Sequence, residues 1–211
     1  SAEGKMTGLF NEHAGINEDT EELSYLLENM DKLGTEDAYN HFAAGWAIAL
    51  DAPFTWAKQV ASDYGGTSNP MIVSYPARIR RPGGLCTAFH HCVDITPTIL
   101  DITHIPHPSV VDGVVQRELE GVSMAYTFDE ETAPSRRTIQ YFCVGANYGI
   151  YADGWFAGVV SKLPWEPIPI YQSYEEGVWE LYHADQDFSL SHNVASQYPE
   201  KLAELKTLFE Q

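Results

Sequence analysis

Two runs rich in β-branched and aromatic residues, RTIQYFCV (137–144) and YGIYADGWFAGVV (148–160), are separated only by Gly145, Ala146 and Asn147. Side chains of that kind suit a pleated, half-buried surface, and three turn-prone residues between them make the chain double back. The spacing predicts an antiparallel hairpin. Further on, GVWELYHA reads as another strand, and YPEKLAELKTLFE as a terminal amphipathic helix with Leu202, Leu205 and Leu208 on one face. A small antiparallel sheet with a helix to cover it is an α+β unit, placed after about residue 112.

The front of the chain has a different texture. Residues 12–37 hold nine acids and one lysine, with Leu23, Leu26, Leu27, Met30 and Leu33 at helical spacing, which predicts an amphipathic helix ending near Gly34. DAYNHFAAGWAIAL is an Ala-rich helical or coiled segment. Asp51 and Pro53 then signal a fresh helix carrying Trp56, Lys58 and Val60, stopped by Gly65 and Gly66. PMIVSYP has the short apolar look of a buried strand, and CVDITPTILDITHI that of a helix with Pro97 near its first turn. Helix, strand and helix in succession predict α/β layering over residues 1–112. Residues 104–136 lack a steady period and read as a long connection.

Charge limits the function classes. Twelve Lys and Arg against thirty Asp and Glu give a net charge of −18, which disfavours nucleic acid and anionic membranes as partners. An anionic substrate would need a local positive group to overcome that field. No apolar run reaches the ~18 residues of a membrane span, and the start, SAEGKMTGLF, has neither an initiator Met nor a signal-peptide design, so the compartment is not legible. Cys86, Cys92 and Cys143 are odd in number and carry no C-x-x-C spacing, so thiols are the expected state.

Several residue groups invite a functional reading and have a plainer one. His90, His91 and Asp94 in FHHCVDIT are metal-ligand types, yet adjacent histidines point to different sides of a strand or helix, so a structural role is expected, with Asp94 capping the next helix. Cys92 reads as a small hydrophobe. The acids of residues 12–37 lack the alternating ligands and central Gly of an EF-hand loop and read as a solvated face. Trp155, Trp165 and Trp179 could stack on sugar rings, but aromatics of a small sheet more often pack its helix. Taken alone, Lys58 is an ordinary lysine before a Gly-Gly turn.

Taken in order, NHFAAGWAIALDAPFTWAKQVASDYGGTSNPMIVSYPARI, FHHCVDITPTILDITHI, LEGVSMAYTFDE, RRTIQYFCVGANYGIYADGWFAGV and WELYHADQDFSLSHNVASQYPEKLAELKTLF resemble consecutive blocks in the C-terminal part of type I sulfatases of the arylsulfatase kind. These belong to the alkaline-phosphatase-like superfamily. The resemblance implies that residues 1–112 complete the large α/β/α sandwich of the catalytic domain and that residues 113–211 form the small α+β subdomain. It implies hydrolysis of a sulfate ester by a formylglycine hydrate, with calcium neutralising the sulfate oxygens.

Within TWAKQVASDYGG, Lys58 matches the family's late active-site lysine, which contacts the sulfate; Ser68 stands where relatives often carry arginine. The nucleophile pattern C-x-P-x-R fits none of Cys86, Cys92 and Cys143. Nucleophile, calcium ligands and catalytic histidines are therefore expected upstream of Ser1. The chain is expected to be inactive alone, to expose unpaired edges and apolar faces, and to associate with itself or with the missing portion. The competing readings are a non-catalytic module binding sulfated glycans through the three tryptophans, and a phosphodiesterase or phosphonate hydrolase of the same superfamily.

Overall fold

A computed structural model describes residues 27–32, 35–36, 44–80, 83–161 and 173–211. Helix α1 spans Ala44–Asp51, the one-turn α2 Tyr64–Thr67 and α3 Ile95–Thr103. A small hairpin pairs β1, Val110–Val111, with β2, Val114–Val115. Strands β3 (Ile139–Val144), β4 (Asn147–Ala152), β5 (Trp155–Val159) and β6 (Glu180–Tyr182) form one antiparallel sheet in that order, followed by α4 (Pro199–Phe209).

The predicted hairpin is β3–β4, in register from Ile139 opposite Ala152 to Val144 opposite Asn147. Its turn consists of Gly145 and Ala146, both with positive φ, the conformation whose twist matches that of the flanking strands. Asn147 belongs to the strand and not to the turn. YGIYADGWFAGVV is likewise two strands, divided at Asp153 and Gly154, which also have positive φ. A third such turn, Asp112–Gly113, closes the β1–β2 hairpin inside what reads in the sequence as a featureless connection.

Both faces of the sheet are covered. Ile150, Ala152, Ala157, Val159, Trp179 and Leu181 pack on one side with Leu205 of α4, flanked by Leu202, Leu208 and Phe209, so the leucine face predicted for the last helix is the one that docks. The opposite face holds Tyr151, Phe156, Tyr182 and Leu190, against which Tyr64, Phe89 and Phe142 pack. The Phe89 and Tyr151 rings stack with centroids 3.7 Å apart. The outer side of β6 is met by Val194, whose N–H donates to the Leu181 carbonyl (2.8 Å), and by Asn193 Oδ1, which accepts from Leu181 N–H (3.2 Å).

Three expectations for the front of the chain are corrected. No helix runs from Pro53 through Val60: residues 52–63 form an irregular loop in which Trp56 and Gln59 have φ of 66° and 79°, and Gly65 and Gly66 lie inside α2 and do not terminate a preceding helix. The PMIVSYP segment is not a strand. Its Met71, Ile72 and Val73 are exposed, Ile72 at 95%, because no neighbouring strand among the described residues offers them a ladder. Asp94 precedes α3, but its side chain makes no cap on that helix and turns to other partners. The predicted acidic helix lies mostly outside the described residues, which show only a 3-10 turn at Met30–Lys32.

Helix α3, with Pro97 in its first turn, docks through its polar side. Asp94 Oδ1 accepts from Val122 N–H (2.8 Å), Thr98 Oγ1 from Met124 N–H (2.8 Å), and Asp101 Oδ2 from the Ser123 hydroxyl (2.5 Å). Spacings of four and three put these groups on one stripe. Gly121 completes the contact, since a Cβ there would lie 2.1 Å from the Val93 carbonyl oxygen. The apolar Ile95 and Ile99 of the same helix are exposed. No helix among the described residues is long and apolar enough to cross a membrane.

Candidate functional site

Lys58 sits on the exposed part of the 52–63 loop, and its ammonium has no hydrogen bond or ion pair among the described residues. Its immediate surroundings are tightly fixed. On the N-terminal side, Phe54 packs on Tyr64 and Phe188, with ring centroids 6.2 and 5.0 Å away. On the C-terminal side Val60, Ala61, Ser62 and Asp63 are all buried.

Four glycines allow that burial. A Cβ on Gly65 would stand 2.2 Å from the Thr55 carbonyl oxygen, and one on Gly66 1.9 Å from that of Val60, so the Gly-Gly turn is the floor on which the lysine loop folds back. Gly149 and Gly158 face each other across β4 and β5, and a Cβ on either would meet the Ala61 oxygen at 2.6 Å or the Ser62 oxygen at 2.2 Å. The sheet thus presents a bare backbone window to the main chain after the lysine. Beside it, Asn147 Nδ2 donates to the Gln59 carbonyl (3.1 Å) while its Oδ1 accepts from Ser161 N–H (3.0 Å).

Below the loop lies a carboxyl group to which the sequence draws no attention. Asp63 is 3% exposed and its Oδ1 has no hydrogen-bond partner among the described residues. Burial pushes its pKa up to about 7, and the Glu180 and Asp187 charges add to the effect. The Tyr182 hydroxyl donates to Glu180 Oε2 (2.7 Å), and burial followed by that carboxylate raises its pKa.

The side chains of the FHHCVD group point apart and make local contacts. His91 Nδ1 accepts from Val93 N–H (3.4 Å) and caps a 3-10 turn, while its ring faces Phe142; His90 faces Tyr126 instead, with its Nδ1 3.6 Å from Asp94 Oδ2. Burial lowers both pKa values. Asp94 is fully buried. It accepts from Arg137 Nε (2.9 Å to Oδ2), His91 N–H (2.9 Å) and Val122 N–H. Burial alone would raise its pKa, but the hydrogen bonds from Arg137 and then the two backbone amides outweigh it and hold the carboxyl at about 2.

Trp179 is buried and donates Nε1–H to the Tyr174 carbonyl (2.7 Å), and Trp155 packs on His183 and Tyr198; Trp165 lies outside the described residues. Trp155 and Trp179 therefore pack within the sheet and against its neighbours. Cys86, Cys92 and Cys143 are free thiols. Among the described residues no three His, Cys, Asp or Glu side chains group to hold a metal ion. None of the cysteines stands in a C-x-P-x-R pattern.

No protein-family model matches the chain. An uncharacterized sulfatase of Schizosaccharomyces pombe is 26% identical over 190 residues, covering 87% of this chain and 31% of its own length. The human N-sulphoglucosamine sulphohydrolase is 46% identical over 44 residues, 21% of this chain and 9% of its own. Among solved structures, a Bacteroides thetaiotaomicron protein from work on the metabolism of multiple glycosaminoglycans superposes with a TM-score of 0.51 at 21% identity, covering 72% of this chain and 30% of its own. The protein Ps i-CgsB, solved with k-i-k-neocarrahexaose, gives 0.54 at 17% identity, over 75% and 31%.

The architecture is thus a mixed α/β one shared with proteins of alkaline-phosphatase-like fold. The sequence relatives are sulfatases, and the chain is similar to one of them over most of its own length. It spans about a third of the length of the fission-yeast relative and about a tenth of the human one.

Proposed function

We propose that residues 1–211 are the C-terminal portion of an arylsulfatase-type sulfuric ester hydrolase and that Lys58 is the group they contribute to its sulfate site. One observation carries this reading: the loop around Lys58 is held by aromatic packing of Phe54 before it and by buried residues after it, while the lysine itself is left exposed. A lysine serving only solubility needs no such foundation. An ammonium with three donors suits an oxyanion whose charge shifts towards the leaving oxygen during cleavage, and a fixed cation there offsets the repulsion that a net charge of −18 exerts on any sulfate.

In a complete sulfatase, formylglycine and calcium supply the nucleophile and the Lewis acid. Neither comes from this chain, so its role is to bind and orient the sulfate, with the upstream portion as its partner. The test is turnover of an aryl sulfate by the complete polypeptide and by residues 1–211 alone. The complete polypeptide should be active, the piece silent, and Lys58→Ala should lower the rate of the complete enzyme by about 10²–10³ with an unchanged melting temperature. Wild-type turnover by Lys58→Ala would remove Lys58 from the site.

A further inference from the structure

We propose that Asn147 is a positioning residue for Lys58: one carboxamide ties the carbonyl of Gln59, the residue directly after the lysine, to the amide of Ser161 just beyond β5, and so sets where the ammonium stands. The proposal rests on Lys58 being the sulfate-contacting group.

The geometry is specific to an amide. Asn147 is 2% exposed, and its side chain donates to Gln59 O at 3.1 Å and accepts from Ser161 N–H at 3.0 Å, joining segments 88 and 14 residues away. A carboxamide offers a neutral donor and acceptor side by side at this depth. The carbonyl it receives belongs to Gln59, whose φ of 79° is a left-handed conformation that a non-glycine residue keeps only when its surroundings hold it.

Asn147 itself does not move freely. It opens β4 opposite Val144, locked into the sheet by the Gly145–Ala146 turn. Two residues further along the loop, the Ala61 and Ser62 carbonyls rest in the Gly149–Gly158 window of the same sheet. Gln59, Ala61 and Ser62 are therefore fixed in close succession, and Lys58 is the first side chain past the last fixing. A group held at its base by a rigid strand keeps its angular placement, and displacement by about 1 Å can cost up to 10²-fold in rate.

The experiment is a double-mutant cycle in the complete polypeptide, with kcat and KM for an aryl sulfate measured for wild type, Asn147→Asp, Lys58→Ala and the double variant, alongside thermal melting. Asn147→Asp keeps the acceptor for Ser161 and, at alkaline pH where the new carboxyl is ionised, turns a carboxylate oxygen towards the Gln59 carbonyl; the rates are compared there. It should lower kcat about 10- to 100-fold. In the Lys58→Ala background the same change should cost less than about twofold, because there is no ammonium left to misplace.

A full, additive loss in that background, while Lys58→Ala alone is impaired, overturns the positioning role and leaves Lys58 in the site. Wild-type rates for Lys58→Ala overturn both. If Asn147→Asp does not fold, Asn147→Ser, smaller and uncharged, takes its place in the same cycle and is judged by the same rates.

Discussion

Two aspartates show how far burial and partners drive one residue type apart. Asp94 has its folded pKa at about 2, below the ordinary 3.8, so the stability it contributes is present above pH 3.8 and is lost as pH falls towards 2. Removing its charge leaves the Arg137 guanidinium buried without a counterion. Asp94→Asn should therefore destabilise the protein by about 3–5 kcal/mol at pH 7 and flatten the acid limb of its stability curve, as read by denaturant titration at several pH values.

Asp63 behaves in the opposite sense. Its folded pKa is raised from 3.8 to about 7, so its contribution is full below pH 3.8 and is lost as pH rises through 7. Asp63→Asn should melt like the wild type at pH 4 and distinctly higher at pH 8, a gap that calorimetry at the two pH values measures. Equal melting temperatures at both would mean that the carboxyl is not held neutral. Nothing in SDYGG marks this residue in the sequence, since its burial comes from the sheet some ninety residues later.

At the level of elements, what is legible in the sequence is what neighbouring residues decide. The β3–β4 hairpin, α3 with its early proline and the leucine face of α4 all follow from local composition and period. The Val-Val-Asp-Gly-Val-Val hairpin is equally local, and its Asp-Gly turn is the signal that marks it. The loop of residues 52–63 imitates a helix because Asp51, Pro53 and the spacing of Trp56 and Val60 look like a helix start, whereas the winning interaction is main chain against Gly149 and Gly158. Lys58 stands out only through resemblance, and the residues that hold it, Asn147 and the paired glycines, carry no signal of their own. Gly158→Ala would drive a methyl into the Ser62 carbonyl and should destabilise by about 1–3 kcal/mol or more, while Leu205→Ala on the other face should cost about 2–5 kcal/mol. Chemical denaturation of each variant checks both values.

At the scale of the molecule, the apolar surface is distributed unevenly. Trp46 and Leu50 of α1 are each 68% exposed, and Ile72, Ile95 and Ile99 are also left uncovered, although α3 uses its polar side for internal contacts. Such a surface suits association, and the chain spans only 31% of its fission-yeast relative. Residues 1–211 alone should show concentration-dependent association in sedimentation velocity and bind an apolar dye, and both signals should fall when the upstream portion is supplied. A monodisperse, dye-silent chain at high concentration would count against this.

The polar stripe of α3 has one more consequence. Asp94, Thr98 and Asp101 hold Val122, Met124 and Ser123, and Asp94 also grips Arg137, so the stretch from Pro106 to Glu118 is a handle whose two ends are fastened to the same short rod. A protease that nicks this handle would leave both pieces clasped together as one particle, parted only by a denaturant.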